Sequence, residues 1–194
     1  MQVVFSAEMK TLSYYKQNAL VLLTTIYGAR ESANIINYWF EARLGLTRMD
    51  LFLKADEVFL FDSYEADLKA LTDRKPVQYV VGHAYFQGLK IGLNSATLIP
   101  RPETEELVSE VVKLIDATQA KRIIDLGTGS GCIALAIKSI RPDTEVLGFD
   151  NNPDAIDQAR RNAETLDLNV DFIVADLFDY SFESADIIVS NPPY

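Results

Sequence analysis

The chain has 194 residues, enough for one large domain or two small ones, and its 48% hydrophobic and 24% charged content excludes a disordered or fibrous protein. One cysteine, Cys132, excludes an intramolecular disulfide framework and fits a reducing compartment. The net charge of −10 is uneven: residues 1–82 carry nine basic and ten acidic side chains, residues 83–194 nine and eighteen, so the second half repels a phosphate backbone and direct nucleic-acid binding is not expected.

The first residues, Met1-Gln2-Val3-Val4-Phe5, lack the basic start and long apolar run of a signal peptide. The longest apolar stretch, Ala19–Tyr27, is broken by Thr24 and Thr25 and is too short to span a bilayer. A cytoplasmic protein with no membrane partner is expected. Up to residue 75, apolar positions recur at helical spacing in Leu12, Tyr15, Ala19, Leu22, Leu23 and Ile26, then in Ile35, Ile36, Trp39, Phe40 and Leu44. Gly28 and Gly45 mark the stops, and a further helix is predicted through Tyr64–Leu71. No strand-like alternation interrupts this region, so residues 1–75 read as a small helical bundle. Aromatic side chains at helical spacing belong to its core rather than to a ligand box.

Pro76 opens a linker over residues 76–100, in which Tyr85–Asn94 carries two glycines among β-formers and predicts a hairpin. In Leu98-Ile99-Pro100-Arg101-Pro102-Glu103-Thr104-Glu105 two prolines impose an extended or turning backbone, and Thr104 or a neighbour caps a helix over Glu105–Ala117. Residues 101–194 form the third segment. Short apolar strands at Ile123-Ile124, Val146–Phe149, Val170–Val174 and Asp186–Ser190 alternate there with helices over Ser130–Ile140 and from Pro153 to Leu166. Asn152 is placed to cap the second helix. Repeated βαβ units predict an α/β fold, a parallel sheet covered by helices on both faces.

The run Asp125-Leu126-Gly127-Thr128-Gly129-Ser130-Gly131-Cys132 follows the first of these strands and opens a helix. Glycines let the backbone turn tightly and let a ligand approach it. The Ser130 and Gly131 amides near the helix N-terminus suit a carboxylate. The spacing is G-x-G-x-G rather than G-x-G-x-x-G, with Cys132 where a dinucleotide loop has Gly or Ala, which favours a nucleoside–amino-acid ligand over a pyrophosphate. Alone, such a loop is equally a structural turn. Asp150 ends the next strand, where a carboxylate can accept from both ribose hydroxyls. Asp176, after the third strand, can accept from an adenine amino group. The last strand delivers Asn191-Pro192-Pro193-Tyr194. The Asn191 side-chain carbonyl and the Pro192 backbone carbonyl can accept the two N–H groups of a planar amide or amine. The prolines supply no competing N–H, and Tyr194 can stack on the substrate group. No nucleophilic residue is required. His83 and Cys132 form no metal cluster or nucleophile–base pair, so no metal is expected; His83 reads as a loop or linker residue and Cys132 as a small buried one.

The DLGTGSG loop, strand-end Asp and NPPY together resemble the class I amino-methyltransferases. Pro76-Val77-Gln78-Tyr79, Phe86-x-Gly88 and Leu98–Glu105 narrow the resemblance to the HemK/PrmC family. That resemblance covers essentially the whole chain. It implies a helical bundle, a β-hairpin linker and a partial, Rossmann-like class I methyltransferase domain. It implies S-adenosyl-L-methionine as cofactor and peptide chain release factors as protein substrate, methylated on the glutamine side-chain amide of their Gly-Gly-Gln motif. Carried over by position, the cofactor loop falls on Gly127, Thr128, Gly129, Ser130 and Gly131, the ribose acid on Asp150, and the adenine side on Asp176 and Leu177. The glutamine-binding tetrad falls on Asn191, Pro192, Pro193 and Tyr194, with Asn191 also beside the cofactor. Arg101 and Glu103 are expected to shape the pocket wall or a domain junction. Family members continue past the tetrad, so a truncated sheet is expected, with the strand before Asn191 at an edge and apolar residues exposed. The alternatives are an adenine-N6 methyltransferase of DNA or RNA, and a non-catalytic fragment.

Overall fold

A computed structural model of the chain describes residues 9–176 and 184–192. It divides into two compact units, Met1–Val81 and Gly82–Tyr194. No helix among the described residues is long and apolar enough to cross a membrane.

The first unit runs β1 (Lys10–Thr11), α1 (Leu12–Tyr27), α2 (Ala29–Leu44), α3 (Asp50–Leu53), β2 (Val58–Phe59), α4 (Tyr64–Thr72) and α5 (Val77–Val81). Thr11 caps α1 by accepting the Tyr14 amide at 3.2 Å, and Gly45 ends α2 in a left-handed conformation, φ 67°. Trp39 and Phe40 are fully buried, as predicted from their spacing, and the Trp39 and Tyr64 rings stack with centroids 5.2 Å apart. The core also holds a charge. Asp67 accepts from Trp39 Nε1 at 2.8 Å, Ser63 Oγ at 2.8 Å and the Arg43 guanidinium at 2.8 and 3.0 Å. Four donors satisfy a carboxylate that burial alone would penalise. Two features depart from the sequence reading. The pair β1–β2 is antiparallel, Lys10 facing Phe59 and Thr11 facing Val58, and is too short for alternation to show. Val77 and Val81, one helical turn apart, join the bundle core, so the unit continues past Pro76.

The second unit runs β3 (His83–Phe86), β4 (Leu89–Gly92), α6 (Pro102–Thr118), β5 (Arg122–Leu126), α7 (Cys132–Ile140), β6 (Glu145–Asp150), α8 (Pro153–Leu166), β7 (Asp171–Val174) and β8 (Ile187–Ser190). The predicted hairpin forms, with a two-residue Gln87-Gly88 turn in which both φ angles are positive, 48° and 76°. His83 lies within β3 and is buried, not in a loop. The parallel sheet has the order β7-β6-β5-β8. The crossovers through α7 and α8 step the same way along it, so the right-handed rule puts both helices on one face. The predicted cover of both faces is therefore seen on one side among the described residues. The other side carries the cluster Ile124, Leu147 and Phe149. Among the described strands β8 pairs with β5 alone, and Ile188 is 60% exposed, as expected of an edge.

Candidate active site

Register assembles the site. Leu126 pairs with Phe149 on one side and Ser190 on the other, so Gly127, Asp150 and Asn191 leave the sheet side by side at the carboxyl ends of β5, β6 and β8. The strand order reverses between β5 and β8, and an open α/β sheet forms its ligand crevice at such a point. At the opposite end of β5 the Asp186 carboxylate accepts the Lys121 and Arg122 amides at 2.7 and 2.9 Å, which sets the offset of β8 and holds the Asp186 carboxyl below its usual range.

Gly127, Gly129 and Gly131 all have positive φ, so the turn is closed to most side chains. At Gly127 and Gly129 a Cβ would meet nothing within 4 Å, leaving the loop backbone open to a ligand. Gly131 faces inward, where a Cβ would stand 2.8 Å from the Phe172 ring. It also starts the helix: α7 begins at Cys132, two residues later than predicted, because the left-handed Gly131 is its N-cap. The Gly131 amide donates to the Thr128 carbonyl at 2.9 Å, so it closes the turn instead of facing a carboxylate as expected. Asp150 holds the loop. Its two oxygens accept the Gly129 and Asn152 amides at 2.9 Å each. A carboxylate has about four acceptor positions, which leaves two for hydroxyl donors. Asp176 is exposed two residues beyond β7. Leu177, Pro193 and Tyr194 lie outside the described residues. Arg101 and Glu103 are exposed at the start of α6.

Asn191 is half-buried, and its Nδ2 donates to the Thr104 hydroxyl at 3.0 Å. Thr104 is not the predicted cap. With Pro102 at the first helical position, α6 starts at Pro102, Arg101 becomes the N-cap, and Thr104 falls inside the first turn with its hydroxyl directed at Asn191. Asn162 was not anticipated. It is 4% exposed on α8; its Nδ2 donates to the Gly92 and Ser130 carbonyls at 3.0 and 2.9 Å, and its Oδ1 accepts the Gly92 amide at 2.9 Å. It thus braces the back of the glycine loop against the hairpin. The available signal was a lone amide among Ala155, Ile156, Ala159 and Ala163 on the buried face of its helix.

Asp125 is fully buried beneath the loop and accepts the Thr128 hydroxyl at 2.6 Å. Burial pushes its carboxyl up to about 6; the Thr128 bond and the Ala134 backbone oppose this, and the nearby Asp150 charge adds to it. Because the folded value exceeds the unfolded 3.8, the native state binds the extra proton. Stability from this group is full below about pH 4 and is lost as pH rises through about 6. Asp125→Asn keeps an acceptor for Thr128 and removes the titration. The variant's stability relative to the parent is expected to grow by on the order of 3 kcal/mol between pH 4 and pH 7. Melting followed by circular dichroism across that range checks this, and identical pH profiles would refute it. Burial, with Asp125 close by, also pushes the Cys132 thiol up to about 12, so it is no nucleophile at neutral pH.

The methyltransferase small domain family matches residues 104–194. A release factor glutamine methyltransferase from Flavobacterium psychrophilum is 36% identical over 189 residues, covering 93% of this chain and 66% of that protein. One from Streptococcus pneumoniae is 36% identical over 172 residues, covering 89% and 58%. One from Xylella fastidiosa is 44% identical over 135 residues, covering 69% and 49%. The chain therefore spans between 49% and 66% of the length of these relatives.

Proposed function

Since the chain belongs to the HemK/PrmC family of methyltransferases, we propose that it transfers a methyl group from S-adenosyl-L-methionine to the side-chain amide nitrogen of the Gly-Gly-Gln glutamine in peptide chain release factors, in the cytoplasm. The observation that carries this reading is the register that brings Gly127, Asp150 and Asn191 out together at neighbouring strand ends. Nothing in the relatives' names supports methylation of adenine instead.

The residues present suit the cofactor. Gly127 and Gly129 leave open space where side chains would otherwise stand, and Asp150 keeps acceptor capacity toward a ribose. The cofactor supplies an electrophilic methyl group on a sulfonium. The chain's own task is to hold the substrate amide. Asn191 Oδ1 and the Pro192 carbonyl accept its two N–H groups, and Tyr194 stacks on its plane. An amide nitrogen has a delocalised lone pair, so acceptors that favour pyramidal geometry at nitrogen stabilise the transition state more than the ground state.

The test is mass spectrometry of a release factor incubated with the chain and S-adenosyl-L-methionine. A gain of one methyl group on the Gly-Gly-Gln glutamine is expected, and none there would refute the proposal. Asp150→Ala in parallel is expected to weaken calorimetric cofactor affinity about tenfold or more, since two hydrogen bonds near ~1 kcal/mol each are lost. Unchanged affinity would remove Asp150 from the site.

A further inference from the structure

We propose that Thr104 is a positioning residue for the substrate amide, acting through Asn191. The inference rests on the functional reading above and adds a residue to it. Asn191 follows the last residue of β8, and two side-chain torsions must be set before its amide points one way. An amide group is planar, so one hydrogen bond at Nδ2 fixes where Oδ1 points. That bond is made to the Thr104 hydroxyl at 3.0 Å, across 87 residues of sequence. With Nδ2 committed to α6, Oδ1 lies on the far side of the group, as the acceptor left for a substrate N–H. Were the amide turned over, Nδ2 would meet the substrate's N–H donors, and two donors repel.

Thr104 suits this task because its own position is over-determined. It is 7% exposed, its amide donates to the Arg101 carbonyl at 3.0 Å, and it sits one residue before Glu105. Glu105 clamps the same turn to the hairpin. Its Oε1 accepts the Gln87 amide at 2.8 Å, and its backbone carbonyl accepts Gln87 Nε2 at 2.9 Å. The first turn of α6 is therefore held from the hairpin side and presents a fixed hydroxyl on the Asn191 side. A supporting shell of this kind keeps an acceptor in reacting geometry.

The test compares Thr104→Val, which keeps the volume and removes the hydroxyl, with Thr104→Ser, which keeps the hydroxyl. Thr104→Val is expected to lower kcat for methyl transfer about five- to tenfold, with cofactor affinity unchanged within about twofold. Thr104→Ser is expected to restore most of the rate. A purely structural role would move both variants together and would follow their melting temperatures. The Asn191 side-chain NH2 resonances, followed by ¹⁵N NMR in the unliganded chain, are expected to shift and to exchange faster in Thr104→Val but not in Thr104→Ser. Parental turnover in Thr104→Val, or a Thr104→Ser variant as slow as Thr104→Val, would overturn the proposal. So would unchanged Asn191 resonances, a readout that needs no activity. If the parental chain itself methylates no glutamine, the functional reading fails, and those resonances alone decide whether Thr104 holds Asn191.

Discussion

Asn191→Ala is expected to lower single-turnover methyl transfer to a release-factor glutamine by on the order of 10²–10³, the cost of removing one fixed acceptor from the place where the transition state forms. The reason lies in the register. Because Ser190 pairs with Leu126, Asn191 emerges beside Gly127, and its amide is held there by Thr104. Alanine removes the Oδ1 acceptor together with the Nδ2 bond to Thr104 that orients it. Asn191→Asp is the sharper variant. On the proposed reading it keeps an acceptor but adds a negative charge where the cofactor's sulfonium would lie near, which would stabilise the charged ground state more than the transition state, where that charge disperses. Cofactor affinity is therefore expected to hold while the rate falls. Parental rates in both variants, with affinity measured in parallel, would reduce Asn191 to a turn residue.

Gly148→Ala is expected to destabilise the second unit by about 3 kcal/mol, near the upper end for forcing a methyl group into a packed core. Gly148 lies in β6 between two strands, and a Cβ there would stand 2.6 Å from the Phe172 ring and 2.8 Å from Thr128 Oγ1. The ring has no room to retreat. It is 5% exposed, and its adjoining Cε1–Cζ edge is already packed close to Gly131, where a Cβ would be only 2.8 Å away. The strain must pass into β7 or into Thr128 and the loop. For a domain of this size the loss corresponds to a melting temperature roughly 10 °C lower. A melt within 2–3 °C of the parent would show that Phe172 has slack, contrary to the packing.

What could be read from the sequence was what announces itself locally. Asn152-Pro153 signals a helix start within two residues, and the structure has Asn152 accepting the Asp154 amide at 3.0 Å with Pro153 first in the helix. The glycine run and the strand-end acid are equally local, which is why the loop and Asp150 were found together. Asn162 was missed because its partners lie elsewhere in the chain, Gly92 at a separation of 70 residues and Ser130 at 32. Thr104 was misread for the complementary reason. A threonine before a helix is a good local cap, but Pro102 started the helix earlier and freed the hydroxyl for a partner that only the sheet brings near. The burial of Asp125 likewise belongs to the assembled layers, since a carboxylate in a short strand looks solvated until a helix covers it.

The bond from the Gly129 amide to Asp150 has one more consequence. A loop with glycine at every second position is the costliest kind of backbone to order, at about 1–2 kcal/mol of conformational entropy per residue or somewhat more. Here that entropy is lost when the chain folds, because Asp150, the Phe149 carbonyl that accepts the Thr128 amide, and Asn162 behind Ser130 already hold the loop. A ligand arriving at Gly127 and Gly129 would meet backbone already held, so little of its binding free energy would go into ordering the loop.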